Sequence, residues 1–252
     1  MEKSINLPGG ISACFPAFND GGTIVGVVRA ALEILPQLTD SYEVIVVNDG
    51  SSDHTSDVLA EIGARHPEVR VIEHTRNLGY GAALRSGFQA VTKEWVFYTD
   101  GDGQYDPREM LTLAGVLTPE IDVVNGYKIA RNDPGYRILI GAIFRRLTRV
   151  LYGIRLRDVN CDFRLMRRSL FDRVKLESDS GAICVEMIRK FQDAGARFAE
   201  VPVHHYPRMY GRSQIFSVSR MMRIIWQLGI VWWQLIVKRD RRPQTVPTVT
   251  PS

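Results

Sequence analysis

Trp95-Val96-Phe97-Tyr98-Thr99-Asp100-Gly101-Asp102-Gly103-Gln104-Tyr105-Asp106-Pro107 carries an apolar run straight into two acids spaced i, i+2. Trp95–Thr99 has the length and composition of a buried strand, and the Asp-Gly-Asp-Gly behind it those of a turn. Where a strand ends, side chains stop alternating regularly between faces, so the two carboxylates can converge on one divalent cation. That cation could grip a diphosphate. A phosphatase nucleophile motif and an ordinary acidic turn fit the same string, so its surroundings have to decide.

On either side the pattern repeats as short apolar run, polar turn and helical segment. Ile11–Phe15, Glu43–Val47, Val69–Glu73 and Asp122–Asn125 are predicted as further buried strands, rich in Val, Ile and aromatics. Thr23–Leu35, Thr55–His66, Gly81–Val91 and Pro107–Leu117 have helical spacing, with Thr23 and Thr55 as caps and Pro107 in a first turn that tolerates it. Such alternation predicts an α/β fold, a mostly parallel sheet flanked by helices, whose ligands bind at the carboxyl ends of the strands. Pro16-Ala17-Phe18-Asn19-Asp20, Asn48–Asp53, Arg76–Gly81 and Asp100–Gln104 then fall on one rim. Each alone reads equally as a turn with a helix cap; four in succession at strand ends point to a site. No GxGxxG follows the first strand, which argues against a dinucleotide fold.

Past residue 128 the text becomes arginine-rich. Ile138–Leu151 is predicted as an amphipathic helix, Phe163–Arg167 as a strand, Cys184–Ala194 as a helix and Phe198–Val203 as a last strand. After the polar loop His204–Gln214 comes Val218–Val237, the most apolar segment. Helix spacing puts Arg220, Gln227, Gln234 and Arg241 on one stripe, with three of the four tryptophans on the rest. Its uncharged run, Ile224–Val237, is shorter than the roughly 20 residues a membrane span needs. Tryptophans beside Lys238, Arg239, Arg241 and Arg242 suit a lipid–water boundary; a core or subunit-interface helix and a span stay open. Residues 1–217 are therefore expected as one domain, 218–239 as an amphipathic helix and 240–252, rich in Pro and Thr, as a disordered tail.

The net charge of +4 hides an asymmetry: residues 1–127 carry 8 Lys/Arg against 18 Asp/Glu, residues 128–173 carry 12 against 4, and residues 174–252 carry 12 against 6. An acidic first half does not suit nucleic acid, whereas a basic second half suits an anionic ligand or an anionic lipid surface. The five histidines form no HxxxH or HExxH pattern, and Cys14, Cys161 and Cys184 are not paired in spacing. A histidine metal site is not expected, and a reducing, cytoplasmic setting is.

The strings Phe15–Asp20, Val47-Asn48-Asp49-Gly50-Ser51, Arg76-Asn77-Leu78-Gly79, Thr99–Gln104 and Asp158-Val159-Asn160-Cys161-Asp162-Phe163-Arg164, in that order, resemble a family 2 inverting glycosyltransferase of GT-A fold. Arg208-Met209-Tyr210-Gly211-Arg212-Ser213 resembles the polyprenol-phosphate sugar transferases of the dolichol-phosphate mannose synthase type. The resemblance covers roughly residues 11 to 215. It implies that Pro16, Phe18, Asp20, Asn77, Gly79 and Asp100 line a nucleotide-sugar pocket, that Asp49 holds base or ribose, and that Asp100, Asp102 and Gln104 bind the metal. It places Lys128, Arg137, Arg208 and Ser213 where diphosphate and acceptor phosphate are handled, with Arg131 and Arg212 as further phosphate-binding candidates. Asp102 and Arg208 would be catalytic. The chain departs from the family at Phe18 and Asp20, where Tyr and Glu are usual, and at Asn48, Gly101, Gly103, Gln214 and Asp162, the last standing where Gly is usual.

Carboxylates and an amide supply oxygen only, so Mg²⁺ or Mn²⁺ is the expected ion and zinc is disfavoured. The expected partners are a GDP- or UDP-linked sugar donor, a lipid-phosphate acceptor and the inner membrane face, with a homo-oligomer open. A lipid phosphate with a second pKa of about 6 reaches neutral pH already ionised and needs little help from a base. A sugar hydroxyl acceptor would need one. Glu186 is the family-implied candidate; otherwise it is a helix-surface glutamate paired with Lys190. The phosphatase reading suffers because Gln104, not Thr, follows the motif and three strands precede it. A non-catalytic nucleotide-sugar-binding module is the remaining alternative.

Overall fold

A computed structural model describes residues 6–129, 135–208, 210 and 218–238; of residues 135–140, 218 and 220 it describes the backbone only. The strands are β1 (Ile11–Ala17), β2 (Tyr42–Asn48), β3 (Val69–Glu73), β4 (Trp95–Thr99), β5 (Val123–Ile129), β6 (Phe163–Arg167) and β7 (Phe198–His204). The helices are α1 (Ile24–Leu38), α2 (Thr55–Arg65), α3 (Tyr80–Ala90), α4 (Met110–Ala114), α5 (Gly135–Tyr152), α6 (Ser169–Arg173), α7 (Ala182–Asp193) and α8 (Val218–Trp232). One seven-stranded sheet runs β3-β2-β1-β4-β6-β5-β7. Its pairs are parallel except where β6 runs antiparallel to β4 and β5.

Apolar residues alternate between two cores because successive strand side chains point to opposite faces. Phe15, Val46, Phe97 and Phe163 enter the core under α1 and α4. Cys14, Val47, Tyr98 and Met166 enter the core that α3 and α7 close. Burial on both faces is why the strands read as continuous apolar runs.

The elements differ from expectation where tertiary contacts override local signals. α1 runs through Pro36 to Leu38 instead of stopping at Leu35, since Leu35 and Leu38 are both fully buried and hold the last turn on. Thr23 stands at the N-cap of α1 as expected but its side chain caps no helix N–H, and the N-cap of α2 is His54, not Thr55. The Thr23 hydroxyl donates to the carbonyls of Asp20 and Gly101, and Thr55 lies inside α2, its N–H bonded at 3.0 Å by Asp53. The helix expected over Pro107–Leu117 is a 3₁₀ turn, Pro107–Glu109, followed by the short α4. β5 continues to Ile129 because β7 pairs along its whole length, and α6 had no expectation.

α8 lies on a third, smaller cluster formed with α5 and α7. Leu228, Val231, Trp232 and Leu235, the last in five residues of π-helix over Trp233–Val237, pack on Tyr152, Val185 and Ile188. The Tyr152 hydroxyl donates to the Leu228 carbonyl at 2.6 Å. Among the described residues no helix is long and apolar enough to cross a membrane. The tail 240–252 lies outside the described residues.

Candidate active site

The rim loops hold one another. Asn19, at φ 57°, accepts through its side-chain oxygen from the Ser52 N–H at 2.8 Å and the Asp53 N–H at 3.3 Å. Its own N–H donates to Ser51 Oγ at 2.9 Å. Asp49 is buried, and its carboxylate accepts the N–H groups of Leu78 and Gly79, both at 2.9 Å, and bonds His74 Nδ1 at 2.7 Å. Gly50 is in the left-handed region, φ 66°, with the Arg76 backbone against it, so a side chain there would push the β3 loop away. Asp49 thus shapes the loop Arg76–Gly79 with the groups expected to hold base or ribose. Pro16 is buried, Phe18 half-buried and Asn77 exposed on the same rim.

Beyond β1 the rim turns acidic. Asp20 accepts the Phe18 N–H at 3.1 Å and lies 3.9 Å from Arg208 Nη1. Burial is the main reason its carboxyl is pushed up to about 6, with the Asp102 charge adding and the Phe18 bond and Arg208 opposing. Asp100 accepts the Tyr80 hydroxyl at 2.8 Å; burial, then the charges of Asp162 and Asp102, push it well above the carboxylate range. Asp102 is 5% exposed, accepts the Gln104 N–H at 3.0 Å and pairs with Arg208 Nη2. Burial raises Asp102, while Arg208 and Lys128 oppose the rise. Lys128 Nζ donates to the Asn160 carbonyl at 2.8 Å beneath this cluster. Several buried carboxylates with too little positive charge form a site short of a cation.

Two residues differ from the sequence reading. The Gln104 side-chain amide turns to the loop after β7, its Nε2 donating to the Tyr206 carbonyl at 3.1 Å, while the Gln104 backbone carbonyl accepts the Tyr206 N–H at 2.8 Å. These bonds tie the loop Asp100–Gln104 to the loop that carries Arg208, and leave the Gln104 side-chain oxygen, the atom expected on the metal, outside them. Glu186 keeps the expected pairing with Lys190 but is not a surface glutamate, being 1% exposed. Its oxygens accept the N–H groups of Glu177 and Ser178, each at 2.9 Å, and the Lys190 ammonium at 2.7 Å. The loop it holds rests on the rim: Gly81 N–H donates to the Asp179 carbonyl at 2.9 Å. Gly79 and Gly81 have no room for a side chain against that loop.

Arg131, Arg212 and Ser213 lie outside the described residues, and of Arg137 only its backbone in α5 is described. The structure brings together Asp20, Asp100, Asp102, Lys128 and Arg208. It also adds two residues not assigned a role from sequence. Asp162 faces Asp100, because the antiparallel register that pairs Thr99 with Phe163 sets the next positions opposite each other. Arg164, fully buried, lies beneath them, bonded to Asn125 Oδ1 at 2.5 Å and to the Tyr98 hydroxyl. Only the direction of β6 reveals Asp162, and an isolated apolar run does not show direction.

The mostly parallel mixed sheet flanked by helices is of the GT-A type of α/β fold. The chain belongs to glycosyl transferase family 2, whose model matches residues 12–175. It is 29% identical over 249 residues to glycosyltransferase AglD of Haloferax volcanii; the match takes in 95% of this chain and 39% of AglD. The chain thus spans about two fifths of that relative's length. Glucosyl-3-phosphoglycerate synthase from Mycobacterium tuberculosis, solved with Mn²⁺, UDP and phosphoglyceric acid, shares the fold with a TM-score of 0.68 at 20% identity, over 90% of this chain and 78% of that one. The same enzyme with Mg²⁺ and UDP gives 0.66 at 19% identity, over 90% of this chain and 79% of that one.

Proposed function

We propose that this chain transfers a sugar, with inversion, from a nucleotide-diphospho-sugar to a polyprenyl phosphate at the inner face of a membrane. The observation that carries the reading is Arg208, delivered by the loop after β7 onto Asp102 and towards Asp20. A guanidinium so placed is at hand for phosphate oxygens once a cation takes its carboxylate partner. Asp100 and Asp102 would hold Mg²⁺ or Mn²⁺. Among the described residues no three His, Cys, Asp or Glu side chains make a metal cage. Ions of this kind are commonly held by one or two carboxylates together with substrate phosphates. When bound, the cation neutralises charge on the departing diphosphate. Arg208 and Lys128 then bind and orient phosphate from the acceptor side, and the Asp49 and Glu186 clamps hold the donor loops in place.

Two observations favour a lipid phosphate acceptor. Glu186 is occupied by backbone donors, and an ionised phosphate needs no such base. Ile143, Leu147 and Val150 on α5, and Met222, Ile225, Trp226 and Trp233 on or just after α8, are exposed, with Arg146, Arg149, Arg223 and Lys238 among them. Apolar and cationic groups intermixed in this way suit an anionic lipid surface. The test is turnover of GDP-mannose, UDP-glucose and UDP-N-acetylglucosamine with polyprenyl phosphate and Mn²⁺, the product's anomer being read by NMR. One inverted glycosyl phospholipid is expected. Failure on the lipid alongside glycosylation of an oligosaccharide or a small phosphorylated acid would overturn the reading.

A further inference from the structure

Asp162 carries an arrangement that the metal site does not use. Its Oδ1 accepts the Tyr98 hydroxyl at 2.9 Å and the Cys184 thiol at 3.1 Å, with Arg164 Nη1 at 3.5 Å. Three donors on one oxygen fix the carboxylate. Its Oδ2 takes no hydrogen bond from the described residues, and the side chain stays 19% exposed. A rigid carboxylate with one oxygen anchored and the other open is a prepared acceptor for hydroxyl groups.

The sheet order says whose hydroxyls these are. Across the carboxyl rim the strands run β2, β1, β4, β6, and carry Asp49, Asp20, Asp100 with Asp102, and Asp162 in turn. Neighbouring strands are about 4.8 Å apart. A donor whose nucleotide lies over β2 and β1, and whose diphosphate lies at the end of β4, therefore has its sugar one strand further on, at β6. Because β6 is antiparallel, the residue before its first position is the one that reaches the rim.

We propose that Asp162 determines donor specificity: its free oxygen accepts hydroxyl hydrogen bonds from the transferred sugar, selecting neutral hexoses and excluding sugars that carry a carboxylate. The inference rests on the nucleotide-sugar reading above. A charged acceptor that loses its hydroxyl partner costs roughly tenfold to hundredfold in affinity, and an anionic sugar would meet Asp162 and Asp100 as like charges.

The experiment titrates the protein with Mn²⁺ and, separately, UDP, GDP, UDP-glucose and UDP-glucuronate, GDP-mannose and GDP-mannuronate, for wild type and Asp162→Asn. Free nucleoside diphosphate reports the donor site, and the increment due to the sugar reports Asp162. Wild type is expected to favour the neutral sugar over its uronate at least roughly tenfold. In Asp162→Asn that preference should collapse and the neutral donor should weaken, with affinity for the nucleoside diphosphate unchanged. An unchanged preference overturns the proposal. So does an equal loss of nucleoside diphosphate affinity, which would make Asp162 part of the cation site. Retained preference with lost turnover would make it a base, and equally overturns it. If neither UDP nor GDP binds, the donor reading itself fails. Should Asp162→Asn not fold, deoxy-sugar donors on the wild type decide: no loss on removing the hydroxyls contradicts the role.

Discussion

The loops after β1, β2 and β3 are held by one another, whereas the outer faces of α5 and α8 turn large apolar side chains to solvent. On the donor side Asn19, Asp49 and Glu186 each bond two backbone N–H groups of a neighbouring loop. On the other side Trp226 is 68% and Val150 71% exposed. A soluble, anionic donor is best met by a pocket made in advance, since ordering loops on binding costs affinity. The proposed acceptor, with its long apolar tail, would arrive within a surface of its own kind, so the protein would need only a face that lies on it. On the proposed function, the difference teaches that the donor half would be complete by itself, while the acceptor half would be completed by a lipid surface.

Asp102→Ala should break the donor half most sharply. Loss of the acid that pairs with Arg208 and would share the cation is expected to lower turnover roughly a thousandfold. Melting should leave stability unchanged or improved, since one of several crowded acids is gone. Asp49→Ala comes next. Two backbone N–H groups and His74 would lose their acceptor, with a loss of about 3 kcal/mol in urea unfolding and weaker nucleoside diphosphate binding. A stability loss without a binding loss would detach the clamp from the site.

Glu186→Gln sharpens the same contrast from the buried side. A positioning carboxylate predicts about 1–2 kcal/mol of stability lost and at most about a tenfold fall in turnover. A fall of several thousandfold at unchanged stability would restore the base. Trp226→Ser has the smallest expected effect and belongs to the acceptor half alone. Binding to anionic phospholipid vesicles should weaken roughly tenfold, with nucleotide affinity and melting unaltered. Vesicle binding that ignores Trp226 while the oligomeric state changes would make α8 a subunit interface.

Most of the sheet was legible because burial on both faces writes strands as unbroken apolar runs, as in Cys14–Phe15 and Val44–Val47. Asp20, Asp100 and Asp102 were legible for a related reason: they follow those runs directly. What sequence could not show depends on partners far along the chain. Asp162 gains its meaning from the antiparallel direction of β6, and Gln104 turns to Tyr206 because β7 ends beside it. Glu186 reads as a surface residue beside Lys190, yet the loop 177–178 folds over it. The β5 extension through Gly126-Tyr127-Lys128 lies beyond the predicted strand Asp122–Asn125 and comes from its pairing with β7.

The claim that the donor half is complete before any lipid arrives can be tested by calorimetric titration of the lipid-free protein with UDP and with GDP, each with and without Mn²⁺. One of the two should bind at one site per chain, and only when the cation is present. Equal binding without Mn²⁺, or no binding of either until vesicles are added, would contradict it.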